Sequence, residues 1–267
     1  RLRVSASKPG AAGRLGPAMA LELDGSPVVT AYALATAVRA VYDAPTRDAI
    51  AFDRIVALGS AGYVACTGSE AILALRGVDD AEDWIDSLRY QQSDGYGGRV
   101  HRGFDGALDD LWGTLFPAVA ELAAGRRLWL AGHSMGGALA VLAAWRLAEA
   151  GQAEHETYTF GAPRALDPVA AAAFPGKVFR FVNSRDVVPL LPTSGPWHRF
   201  AHVGEQMLLL PGGGLGFGTR RWMVAARRLL SPSRARWVRR LFKGSLDDHK
   251  MERYLANLSA TIDLGLA

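Results

Sequence analysis

Five residues near the middle of the chain, Gly132-His133-Ser134-Met135-Gly136, have the types and spacing of a turn that presents a serine hydroxyl as a nucleophile. The apolar stretch Leu128-Trp129-Leu130-Ala131 before them suits a strand, and Gly137-Ala138-Leu139-Ala140-Val141 after them suits a helix. Gly-x-Ser-x-Gly carries meaning in that context, because the serine then sits on a sharp turn at the end of a sheet. Small residues on either side let strand and helix approach closely. The helix N-terminus aims backbone N–H groups at a developing negative charge. The chemistry this suits is attack on a carbonyl carbon.

A serine hydroxyl needs a base, and the base needs an orienting carboxylate. On such a turn the partners follow in the order acid, then histidine. Four histidines lie downstream: His155, His198, His202 and His249. The best base is His249, in Asp247-Asp248-His249-Lys250 at the start of the last predicted helix. His202 lies in an alternating, strand-like stretch and reads as a structural hydrogen-bonding residue. His133 reads as packing beside the nucleophile. The best acid is Asp186, which follows the apolar run Val178–Val182 in Asn183-Ser184-Arg185-Asp186-Val187-Val188-Pro189. A surface pair with Arg185 or Arg180 is the competing reading of Asp186. Asp167 reads better as the N-cap of a following helix. Acyl transfer also needs two N–H donors for the oxyanion. Met135 supplies one. The loop Leu75-Arg76-Gly77-Val78 supplies the other, from Val78 with Gly77 as fallback.

These residues need elements to hold them. Val28–Asp43 and Ala49–Leu58 read as helices, and Tyr63–Thr67 with Ala71–Leu75 as a hairpin. Asp79–Val100, polar and Gly-rich but carrying Trp84 and Ile85, reads as a mobile loop with a short helix. Ala107–Ala124 reads as a helix interrupted by Gly113 and Pro117, and Met135–Glu149 as a buried helix. Arg127–Ala131, Glu156–Phe160 and Lys177–Val182 read as strands, with Pro168–Phe174 a short helix. Phe200–Val203 and Gln206–Leu210 suit two more strands, and Leu246–Leu258 the final helix. Strands alternating with helices predict an α/β fold with a central, mostly parallel sheet flanked by helices. Residues 1–20, rich in Gly, Ala and Pro and without the apolar centre of a signal peptide, read as a flexible arm. Residues 21–267 read as one domain.

The 267 residues are 49% hydrophobic and 21% charged, an ordinary balance that excludes wholesale disorder. The single cysteine, Cys66, excludes an intramolecular disulfide and a thiolate zinc site. No run approaches the roughly 18–20 apolar residues of a membrane span. Localisation stays open between a soluble protein secreted after leader removal and one peripheral to a membrane. The net charge is +4, yet residues 219–243 hold eight Arg, one Lys and no acid, so the remainder is net negative. Trp222, Met223, Leu229 and Leu230, then Trp237, Val238, Leu241 and Phe242, alternate with those arginines as two basic amphipathic helices would. Docking on an anionic membrane and plain packing on the body are the two readings. No nucleic-acid-binding fold accompanies the charge.

The motifs together resemble the class 3 lipases, the α/β-hydrolase family of the fungal triacylglycerol lipases. The resemblance rests on Ala74-Leu75-Arg76-Gly77-Val78 with Asp83-Trp84 and Asp86, on Val100-His101-Arg102-Gly103-Phe104, and on Gly132-His133-Ser134-Met135-Gly136-Gly137. Thr159-Phe160-Gly161-Ala162-Pro163-Arg164, Asp186-Val187-Val188-Pro189, His202-Val203-Gly204-Glu205 and Asp248-His249 extend it over roughly residues 60–258. It implies the α/β-hydrolase fold, ester hydrolysis of acylglycerols or related lipids through an acyl-serine, and neither metal nor cofactor. It also implies a lid-like segment at about 78–98, with Trp84 and Ile85 as lid candidates. A phospholipase A1-type or short-chain esterase and a non-catalytic lipid-binding member are the alternatives. Two features depart from the family. Val78 stands where it usually has Ser or Thr, so only a backbone N–H is offered there. The Arg-rich stretch of 219–243 is longer and more basic than in compact members.

Overall fold

The computed structural model describes residues 23, 26–43, 48, 50–80, 84–85, 88, 90–152, 155–194, 199–216 and 245–266. The expected arm of 1–20 and the Arg-rich segment of 219–243 lie outside these residues. Among them, no helix is long and apolar enough to cross a membrane.

One sheet carries the site. In chain order its strands are β1 (Arg54–Ala57), β2 (Gly62–Thr67) and β3 (Glu70–Leu75), then β6 (Arg127–His133), β7 (His155–Phe160), β8 (Lys177–Asn183), β9 (Glu205–Leu209) and β10 (Leu215–Gly216). A separate hairpin, β4 (Gln92–Gly95) with β5 (Gly98–His101), stands apart from it. The spatial order is β1-β2-β3-β6-β7-β8-β9-β10. Strands β3, β6, β7, β8 and β9 run parallel, and antiparallel β1–β2 and β10 close the two edges. The parallel strands therefore end together, and loops at their C-terminal ends converge where ligands bind in such sheets.

Period-2 patterning splits the strands between two cores. On one face Trp129, Ala131, Tyr158, Phe160, Phe179 and Phe181 pack under helix α1 (Pro27–Tyr42) and the C-terminal helix α5 (Met251–Asp263). On the other, Leu73, Leu75, Leu128, Leu130 and Val178 pack under α2 (Arg102–Leu122) and α3 (Met135–Glu149). The short α4 (Pro168–Ala172) begins at Asp167, whose Oδ1 accepts the Ala170 N–H, as its N-cap reading requires.

Several local expectations change. Within the expected helix Ala49–Leu58, the described residues 50–58 are not helical. Arg54–Ala57 is instead edge strand β1, its ladder on β2 outweighing a short window of helical spacing, with Val56 turned to the core and Ile55 exposed. Helix α2 begins at Arg102, where the His101 ring caps it by accepting the Phe104 N–H, and it runs through Gly113 and Pro117. Its apolar stripe Phe104, Leu108, Leu115, Val119 and Leu122 holds it on the sheet, which offsets the hydrogen bond Pro117 cannot make. In the Gly-rich loop, Tyr96 and Gly97 both have positive φ and close the β4–β5 hairpin, so the lid-like span is hairpin from Gln92 onward. Phe200–Val203 contributes only an isolated bridge, Ala201 to Leu166. The expected last helix is broken at Lys250, the N-cap of α5, leaving 245–249 as a separate helical turn.

The hairpin is pinned by one cation. Arg146 on α3 donates through Nε to the Tyr96 hydroxyl at 2.6 Å and pairs through Nη2 with Asp105 and Asp109 of α2, both at 2.7 Å. The Tyr96 hydroxyl in turn donates to Asp105 Oδ1 at 2.8 Å. Replacing Arg146 by Met would leave two carboxylates facing each other over half-buried Tyr96. An Arg146→Met variant is expected to lose about 1–2 kcal/mol of stability, solvent screening of Asp109 keeping the loss modest. An unchanged urea midpoint would show that this ion cluster does not hold the hairpin.

Candidate active site

The turn at Ser134 is forced by close packing. Ser134 adopts φ 55° and ψ −129°, a conformation rare for a residue with a side chain. A Cβ at Gly132 would stand 2.2 Å from the Gly136 carbonyl oxygen, and one at Gly136 would stand 2.4 Å from that of Arg76. Both positions therefore require glycine. Ser134 is held by its own N–H, which donates to the Phe160 carbonyl at 2.9 Å, and by its carbonyl, which accepts the Gly137 N–H at 2.9 Å. Its Oγ is buried and makes no hydrogen bond.

Asp186 and His249 meet as a buried pair. His249 Nδ1 lies 2.8 Å from Asp186 Oδ2, and both residues are buried. Asp186 accepts two further hydrogen bonds, from the Val188 N–H at 2.9 Å on Oδ1 and from the Tyr254 hydroxyl at 2.6 Å on Oδ2. Burial, with the Asp186 charge beside it, pushes the Tyr254 hydroxyl far above its ordinary range, so it acts as a permanent donor. Neither Arg185 nor Arg180 competes for this carboxylate. Arg185 faces Asp248 at 3.9 Å, and Arg180 is desolvated on β8. The far nitrogen of His249, Nε2, is buried and without a hydrogen bond, as Ser134 Oγ is. Gly161, at φ 63°, fits closely against the pair: a Cβ there would lie 2.6 Å from Asp186 Oδ2 and 2.9 Å from His249 Nδ1.

The loop that presents His249 is tied to the sheet by Asn183, the last residue of β8. Asn183 Nδ2 donates to the Asp248 carbonyl at 2.7 Å, and its Oδ1 accepts from Asn257 Nδ2 at 2.9 Å. His202 Nε2 donates to the Pro189 carbonyl, 2.6 Å away, since a carbonyl only accepts, and so braces the loop that follows Asp186. His155 lies at the opposite end of the strands, against the Gln152 carbonyl. His198 lies outside the described residues.

The two oxyanion candidates stand differently. Met135 is the first residue of α3, where a helix has no internal acceptor for the N–H. Of the pair on the β3 loop, the Gly77 N–H is already given to the Tyr42 hydroxyl at 2.7 Å, which leaves the Val78 N–H for the site. A Cβ on Gly77 would lie 2.6 Å from Ser134 Cβ, so this loop abuts the serine. Val78 and His249 line a cavity of about 330 Å³ with Tyr42, Asp79, Asp80, Leu246, Lys250 and Glu252. A second cavity of about 400 Å³, on the Met135 side, is lined by Trp84, Leu88, His101, Arg102 and Phe104. Trp84 stacks on Phe104 with centroids 6.0 Å apart, and Ile85 is its half-buried neighbour in a helical turn. Tyr42, Tyr254, Asn183 and Gly161 were not singled out by sequence reasoning. Gly161 alone carried a signal, as part of Thr159-Phe160-Gly161-Ala162-Pro163-Arg164.

His133 does more than pack. Its Nδ1 lies 2.8 Å from the Tyr42 hydroxyl, its Nε2 2.7 Å from the His249 carbonyl, and its ring 4.7 Å from that of His249. Burial, reinforced by neighbouring His249, drives its pKa down from 6.5 to about 3. The unfolded imidazole thus takes up a proton below about pH 6.5 that the folded one refuses. Stability contributed by His133 is complete above that pH and is lost progressively as pH falls towards 3. Denaturant unfolding between pH 7.5 and 4.5 should therefore show a steeper loss for the wild type than for His133→Gln. Parallel curves would mean that His133 titrates normally.

Comparisons place this geometry. Residues 72–195 match the family model described as lipase (class 3). A secreted mono- and diacylglycerol lipase of Malassezia globosa is 28% identical over 159 residues, 56% of this chain and 52% of that protein. A lipase of Rhizomucor miehei is 30% identical over 149 residues, 50% of this chain and 40% of that protein. The chain thus spans about half the length of the curated relatives it matches. Among solved structures, lipase II from Rhizopus niveus superposes with a TM-score of 0.57 at 27% identity, over 67% of this chain and 78% of that one. Lipase from Rhizopus microsporus var. chinensis gives the same TM-score at 22% identity, over 67% of this chain and 72% of that one. The fold is the α/β-hydrolase fold, and over residues 72–195 the chain is similar to the class 3 lipases.

Proposed function

We propose that this protein is a serine hydrolase that cleaves carboxylic esters of acylglycerols or related lipids. The observations that carry the reading are a buried Asp186–His249 pair and, directly after His133 whose ring lies 4.7 Å from that of His249, a serine held at positive φ on the elbow before α3. In the proposed reaction His249 Nε2 takes the Ser134 proton as Oγ attacks the ester carbonyl. The carbonyl oxygen becomes an oxyanion, received by the N–H groups of Met135 and Val78. Asp186 fixes the imidazole with its proton on Nδ1 and stabilises the imidazolium. The imidazolium returns its proton to the departing alkoxide, leaving an acyl-serine. Water, deprotonated by His249, then releases the carboxylic acid and restores Ser134. The steps call for neither metal nor redox cofactor.

One cavity is lined by Val78 and His249 and the other by Met135, which suggests a division of the substrate. The one beside Trp84, Leu88, Phe104 and Met135, with Gln91, His101 and Arg102 also in its wall, offers an acyl chain three large apolar side chains and a methionine, and Trp84 and Ile85 would form its lid. The one beside His249 carries Asp79, Asp80, Glu252 and Lys250, which suits the hydroxyls of a glycerol leaving group. The relatives named as mono- and diacylglycerol lipases agree with such a substrate class. Hydrolysis of p-nitrophenyl esters from short to long acyl chains tests the core of the reading. Wild type is expected to turn over and Ser134→Ala to lose about 10⁴-fold or more in kcat. Ester hydrolysis surviving in Ser134→Ala, or no hydrolysis by the wild type, would reject it.

A substrate held in a lipid surface would give the Arg-rich segment of 219–243 a use. Nine positive charges with Trp222, Trp237 and Phe242 are the composition expected of a peripheral anchor on anionic lipid, at about 1 kcal/mol per basic residue near such a surface. Replacing Arg227, Arg228, Arg239 and Arg240 together by Gln should weaken binding to vesicles containing phosphatidylserine while sparing hydrolysis of a soluble ester. Equal vesicle binding by both proteins would remove the anchor from the proposal.

A further inference from the structure

The Val78 N–H belongs to a loop in which the Gly77 carbonyl accepts from the neighbouring Arg76 Nε at 3.2 Å, while the Gly77 N–H is anchored from elsewhere in the chain. The Gly77 N–H donates to the Tyr42 hydroxyl at 2.7 Å, and Tyr42 is the last residue of α1, upstream of the residues matched by the family model. The same hydroxyl lies 2.8 Å from His133 Nδ1, and His133 Nε2 lies 2.7 Å from the carbonyl oxygen of His249.

Only one arrangement of protons satisfies these contacts. A carbonyl oxygen accepts and never donates, so His133 carries its hydrogen on Nε2. With the ring neutral, Nδ1 is then an acceptor, and the Tyr42 hydroxyl must donate to it. The Tyr42 oxygen is left to accept from Gly77. Burial keeps the imidazole neutral and, by pushing the Tyr42 hydroxyl up to about 12, keeps the phenol protonated across ordinary pH. The chain of donors therefore runs unbroken from Gly77 through Tyr42 and His133 to the backbone of His249. At one end it holds the peptide before Val78 against Ser134, where a glycine Cβ would already collide. At the other it holds the main chain of the base.

We propose that Tyr42 is a positioning residue for the oxyanion hole, fixing the Arg76–Gly77 peptide that leads into Val78 and coupling it through His133 to the segment that carries His249. This rests on the reading of Ser134 as the nucleophile of acyl transfer. It assigns to α1 the support that Val78, lacking a hydroxyl, cannot supply from within its own loop. The ring of Tyr42 also faces His133 edge-on with centroids 5.8 Å apart and lies under Arg76 at 4.9 Å. Tyr42→Phe would keep both contacts and remove only the relay oxygen.

The test compares wild type, Tyr42→Phe and Ser134→Ala on a soluble p-nitrophenyl ester, with active sites counted by fluorophosphonate titration. Tyr42→Phe is expected to lower kcat per titrated site about 10- to 100-fold, part of what loss of an oxyanion donor costs, with KM within about twofold. Affinity for an alkyl boronic acid, which forms a tetrahedral adduct, should fall in the same proportion, while affinity for a fatty-acid product stays unchanged. A merely structural role would lower the titrated fraction and leave kcat per site intact, and that result overturns the proposal. Turnover and boronate affinity within twofold of wild type overturn it too, while a dead Ser134→Ala leaves the nucleophile reading standing. A wild type inert towards every ester removes both. Should Tyr42→Phe fail to fold, the wild type alone decides: a ¹⁵N spectrum with His133 protonated at Nδ1 breaks the relay and overturns it, and the Nε2–H form with a boronate-induced shift of the Val78 amide supports it.

Discussion

The backbone of Ser134, held in a region of φ and ψ that residues with side chains rarely occupy, is the constraint around which the rest is arranged. The elbow exists because β6 and α3 approach more closely than a Cβ at Gly132 would permit, and α3 meets the end of β3 more closely than a Cβ at Gly136 would permit. That approach depends on the parallel ladder of β3, β6 and β7, which fixes where β6 stops, and on the apolar face of α3 buried against the sheet. Strain at one residue is thereby supported by two extensive packed surfaces, and a conformation costing about 1–3 kcal/mol persists.

The surroundings of the serine keep charge scarce and well accounted for. Asp186 is wholly buried, yet it has three donors: an imidazole, a phenol and a backbone amide. A buried polar group persists when it is hydrogen-bonded, and these three donors meet that need for Asp186. His133, its ring tilted 31° against that of His249 with centroids 4.7 Å apart, is kept neutral by desolvation, so two imidazoles meet without placing two cations together. In the proposed mechanism only one of them changes charge. Neutral His133 can then serve as a fixed spacer between α1 and the base.

Contributions to the site come from well outside the family-model match. That match covers 72–195, which includes Gly77, Val78, Ser134, Gly161 and Asp186. His249 and Tyr254 lie beyond its end, and Tyr42 lies before its start. The two outer helices, α1 and α5, pack side by side over one face of the sheet and bring these residues to the strand ends. The match thus contains the candidate nucleophile, acid and oxyanion loop, while Tyr42 on α1, Tyr254 on α5 and the candidate base His249, in the turn before α5, lie outside it.

Much of this was legible in the residues themselves, for a local reason. The elbow could be read because its glycines, strand and helix are contiguous. Asp167 as a cap and the hairpin of β2 and β3 could be read for the same reason. Asp186 could be read from its place directly after an apolar strand. Misreadings arose where local preference competed with distant partners. Arg54–Ala57 has helical spacing in a short window but pairs with β2, and Tyr96-Gly97 closes a hairpin held by Arg146, fifty residues on. Tyr42, Asn183 and Tyr254 are ordinary residues in their own segments. The sequence by itself determined the strand–elbow–helix unit and the order of the chemical groups, since contiguous residues encode backbone geometry and periodicity. Only the tertiary structure decided that Tyr254 and Tyr42 face Asp186 and His133, because hydrogen bonds between groups far apart in the chain exist only once the sheet and its two outer helices have packed.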